Sequence, residues 1–154
     1  MLFENTLFQL AQTFLWPVNA LVLAAFAYSL MSLGAFAVEW ARRRRQPGHV
    51  LVLGRVGSGS PEMLELAVLK ELEGLRLCSR VAPMLGLVAT MIPMGPALVA
   101  VASGQSQGVA QSLAPAFAAV IVALVAASIT FVVYSVRRRW LLAEMLAVLE
   151  GNAA

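Results

Sequence analysis

The chain has 154 residues, of which 60% are hydrophobic and only 12% charged, with a net charge of +3. Soluble domains carry about 25% charged residues, so a mean hydropathy of +0.83 excludes the ordinary globular class. A single cysteine, Cys78, excludes an internal disulfide and suggests no thiol metal site, and aspartate is absent throughout.

Residues 1–14 place Phe3, Leu7, Leu10 and Phe14 on one helical stripe, which predicts a short interfacial helix. Trp16 and Pro17 open a first apolar run, about 14–38. Trp suits the headgroup level and Pro suits a first helical turn. Glu39, Trp40 and the block Arg42 to Arg45 close it. No basic residue precedes Arg42, so the run is expected to be a span rather than a cleaved signal.

The loop over 41–79 contains Gly54, Gly57 and Gly59, but no lysine follows them. A phosphate-binding loop is therefore rejected in favour of a turn. Its only histidine, His49, is read as a solvated loop residue. Ser60 and Pro61 have the chemistry of a helix start, with Glu62 and Glu65 in the first turns. The helix is expected to continue through a second apolar run, 81–102, and to bend at Pro83. At 1.5 Å per residue its length from Pro61 would be about 60 Å, twice the hydrocarbon core.

The polar stretch "SGQSQGVAQS" separates this run from a third, 113–136. Arg137 to Arg139 follow, and the helix is expected to stop at Gly151 as a C-cap. Each run is long enough to cross a bilayer. The fold class is thus an all-α integral membrane protein, one domain over 1–154. It has three transmembrane helices, two of them extended into the cytoplasm.

All eleven Lys and Arg residues fall on one side of this layout. The positive-inside rule predicts an outer N-terminus and a cytoplasmic C-terminus in a cell inner membrane. This placement also explains the basic balance without nucleic acid.

The second and third runs each divide into a small and a large face. Gly86, Ala89, Thr90, Pro93, Pro96, Ala97 and Ala100 share one side of the second run, opposite residues such as Met84, Leu87 and Met91. In the third run Ala116, Ala119, Ala123, Ala126, Ala127 and Thr130 oppose Phe117, Ile121, Leu124 and Phe131. Such faces suit close helix packing, and equally a wall around another helix. Prolines free carbonyls that are tolerated only against protein or water.

The segment "APMLGLVATMIP" resembles the second-span motif of the MotA/TolQ/ExbB proton channel family, with Leu85, Gly86, Leu87, Val88, Ala89 and Thr90 in order. "LAPAFAAVIVALVAA" resembles the family's third span, with Val120 where a threonine is usual and Pro115 where an acid often stands. The resemblance implies a homopentamer around a single-span partner of the ExbD, TolR or MotB kind, whose aspartate titrates. Gly86, Ala89, Thr90, Pro93, Ala97, Ala119, Val120, Ala123 and Thr130 would line the pore or contact the partner.

The three apolar runs contain no Asp, Glu, His, Lys or Arg. Ionisable groups at membrane depth mark proton relays, so this chain alone is a poor proton carrier. No enzyme, cofactor or metal is implied: an intramembrane hydrolase would lack a di-aspartyl pair. Two functions are carried forward. One is a proton-channel subunit of an ion-driven envelope motor; the other is a non-transporting membrane scaffold.

Overall fold

A computed structural model describes residues 2–45, 61–104 and 106–153, and places nearly all of them in three helices. These are α1 (Leu2–Arg45), α2 (Pro61–Ala102) and α3 (Ser106–Ala153). Each carries an apolar stretch long enough to cross a membrane. Lipid offers the backbone no hydrogen-bond partner, so an uninterrupted helix is the natural state of such runs. The glycine-bearing loop, His49 and the Ser60 cap lie outside the described residues.

The helices outrun the expected boundaries. Residues 2–14 form no separate helix but are the first turns of α1, which passes through Pro17 without a break. The connection between α2 and α3 is much shorter than the polar stretch suggested, because α3 already begins at Ser106. Gly104 makes that turn possible with φ +73°, the left-handed conformation that glycine adopts without a Cβ penalty. The amide of Ser103 donates to the Val99 carbonyl at 3.0 Å, and that of Gly104 to Val101 at 3.0 Å. Gly151 does not end α3, which runs on to Ala153.

α2 and α3 form the most extensive pair, and α1 lies against both. Packing changes character along the bundle. At the basic end Leu64, Val68, Leu72 and Leu75 of α2 bury against Val133 and Leu141 of α3. Nearer the membrane centre the core is Ala82, Ala126 and Ala127, with Ala25 and Phe26 of α1 alongside. Small side chains bring helix backbones together where lipid supplies no hydrophobic drive for association.

Candidate functional site

The small faces meet within a single protomer. A Cβ built on Gly86 would stand 3.0 Å from the Ala123 methyl and 3.1 Å from Val120 Cγ2. Ala123 is fully buried at this α2–α3 seam, and Ala89 and Ala97 of α2 are buried as well. Thr130 is fully buried. Of the predicted residues the structure thus brings Gly86, Val120 and Ala123 into contact at one α2–α3 seam, while Thr90, Pro93, Ala119 and Val120 keep part of their surface accessible.

Both threonines turn inward on their own helices. The Thr90 hydroxyl donates to the Leu87 carbonyl at 2.7 Å. That of Thr130 donates to the Ala126 carbonyl at 2.9 Å, with the Ala127 carbonyl at 3.1 Å. Such back-bonding satisfies a hydroxyl in an apolar setting. At the half-buried Thr90 it also leaves oxygen lone pairs to accept from an entering group, whereas Thr130 is enclosed.

A second cluster, missed from the sequence, ties all three helices together at the basic end. Arg43 of α1 bonds Glu39 at 3.0 Å and also pairs with the buried Glu144 of α3. Arg137 of α3 donates to Glu71 of α2 at 2.7 Å. Its Nε lies 3.3 Å from Glu39 Oε2, close enough to attract although the N–H is not aimed for a hydrogen bond. The Arg43 guanidinium sits 4.8 Å over the Trp140 ring. Trp140 in turn stacks on Phe36 at 5.2 Å.

Two arginines thus hold three carboxylates. The Glu39–Arg43 pair was legible as an i,i+4 spacing; the partners on α2 and α3 were not. Among the described residues no group of His, Cys, Asp or Glu could hold a metal ion.

Three long apolar helices, small-residue packing inside and large apolar side chains outside define a multi-pass helical membrane protein. Residues 61–149, more than half of the chain, match the model of the MotA/TolQ/ExbB proton channel family, and the chain belongs to that family. The match covers α2 and nearly all of α3, the pair that forms the seam. No curated protein and no solved structure matches the chain.

Proposed function

We propose that this protein is the channel subunit of an ion-driven motor in the inner membrane. It works as a homo-oligomer around a single-span partner that supplies the titrating carboxylate. The observation that carries this reading is the pairing of a proton channel family match with apolar runs at 14–38, 81–102 and 113–136 that hold no Asp, Glu, His, Lys or Arg. A proton path needs a titrating group at depth, so that group comes from another chain. Each charge crossing 100 mV releases about 2.3 kcal/mol, which the complex converts to motion. The one-sided Lys and Arg distribution supports an outer N-terminus.

Thr90 is a half-buried hydroxyl on α2, and Val120, which meets Gly86 one turn earlier on that helix, has none. Thr90→Val keeps the side-chain volume and removes only the hydroxyl. Proton uptake into vesicles containing this protein and its aspartate-bearing partner is expected to fall at least about tenfold, as for loss of one strong hydrogen bond. Vesicle orientation is read from a cysteine introduced at Ser103 in a Cys78→Ala background, labelled by an impermeant reagent from the outer side only. Undiminished uptake in Thr90→Val, or equal uptake without the partner, refutes the channel mechanism.

A non-transporting scaffold is the second reading. It is favoured by one observation: Gly86, Ala89, Ala97 and Ala123 are occupied by packing within the protomer.

A further inference from the structure

On the side of the α2–α3 pair away from α1 lies a groove of about 930 Å³, lined by residues that include Lys70, Arg76, Arg80, Tyr134 and Arg138. Its charge balance differs from that of the cluster beneath α1. There Arg43 and Arg137 are matched by three carboxylates. In the groove Glu65 and Glu73 are present, yet none of Arg76, Arg80 and Arg138 has a carboxylate within ion-pair distance among the described residues.

The height of these arginines is what makes them unusual. The Arg137–Glu71 bond at 2.7 Å fixes the register of the antiparallel pair, and the contact of Gly86 with Val120 and Ala123 agrees with it. Five residues along α2 from Glu71 is Arg76; five residues back along α3 from Arg137 is Val132. Arg76 is therefore level with Phe131 and Val132, which are 60% and 56% exposed apolar side chains of the third span. Arg80 is a further turn into the membrane. Unpaired charges at this level must snorkel to the interface or meet an anion.

The apolar surface continues directly from the cations. Arg76, Arg80, Met84 and Leu87 follow one another on a single face of α2, and Arg138, Phe131 and Leu124 do so on α3. Met84, Leu87, Leu124 and Phe131 are all exposed. An anion with long apolar chains pointing toward the membrane centre matches this layout, and basic pockets between spanning helices are known to take acidic headgroups.

We propose that the groove binds an anionic phospholipid of the leaflet on the basic side. Its phosphate is held by Arg76 and Arg80, with Arg138 closing the headgroup side. Its acyl chains lie along Met84, Leu87 and Phe131. The headgroup occupies the Arg76–Arg80 end of the groove, and the chains continue beyond it, whether or not the protein conducts protons.

The test is native mass spectrometry of the full-length protein, purified in mild detergent and supplied with phosphatidylglycerol or with phosphatidylcholine of the same chains. Wild type is expected to retain phosphatidylglycerol preferentially. R76Q/R80Q is expected to lose that preference by at least about tenfold, the loss implied by two basic residues at a membrane surface. R76K/R80K should retain most of it, and R42Q/R45Q, which removes the same charge elsewhere, should leave it unchanged.

Addition of excess inorganic phosphate separates lipid from free anion: lipid that stays bound supports the proposal, and displacement overturns it. Unchanged retention in R76Q/R80Q also overturns it, as it would if a second copy of the chain filled the groove. An equal fall in R42Q/R45Q would reduce the effect to overall charge and sink the site.

Discussion

Gly86 and Gly34 are both glycines inside long helices, and their surroundings give opposite expectations. A Cβ at Gly86 would meet the Ala123 methyl at 3.0 Å and the Val120 backbone at 3.4 Å. Ala123 has no rotamer with which to retreat, so the two helices themselves must separate. Nothing lies within 4 Å of a Cβ at Gly34, where alanine would only restrict the unfolded chain and favour the helix. Gly86→Ala should therefore cost about 1–3 kcal/mol of stability, the usual penalty of overpacking. Gly34→Ala should be neutral or gain up to about 1 kcal/mol. Reversible unfolding in mixed detergent measures both, and equal effects would mean that the seam is looser than its geometry indicates.

Between helices, the interactions differ in kind from one end of the bundle to the other. Alanine packing at the centre is apolar and short-range, whereas the basic end is locked by charges from α1, α2 and α3. Glu144 is 5% exposed and Arg43 19%, so removing one partner leaves a carboxylate with little access to water. Arg43→Met should destabilise the protein by up to about 3 kcal/mol, at the low end for a broken buried pair. The double variant Arg43→Met/Glu144→Leu should recover part of that loss, because the buried carboxylate that lost its Arg43 partner is gone. A double variant no better than the single would assign the loss to the Trp140 contact instead.

The sequence carried the seam and the ends of the helices to different degrees. Gly86 and Ala123 were visible because small residues recur with helical period in both apolar runs. The Glu144 contact was invisible because its partner Arg43 is 101 residues away, and periodicity carries no information about which helices meet. Composition also reports how much of a helix is apolar, not how far the helix extends. For that reason Ser106 to Ser112 looked like loop but lies in α3.

For the molecule as a whole, the decisive fact is what a single protomer leaves uncovered. Away from the basic end, small residues of α2 and α3 face inward and many large side chains face outward. Met91 and Leu98 are 61% and 65% exposed, and Phe117 and Ile121 are 57% and 60% exposed. Lipid tails solvate such surfaces as well as another helix does, so burial from water cannot drive their association; close packing must. On the function proposed above, a partner helix at the centre takes several copies of the chain to enclose it. The purified protein should accordingly form a closed homo-oligomer, most simply the pentamer that the family resemblance implies. Phe117→Ala/Ile121→Ala should shift its mass in mild detergent toward the monomer while circular dichroism stays helical, because the protomer's own seam is untouched. Gly86→Leu should behave differently: it forces α2 from α3 and lowers unfolding stability as well as assembly. A monomeric wild type would refute enclosure by copies of this chain. An unchanged oligomer in Phe117→Ala/Ile121→Ala would move the interface away from the outer half of α3.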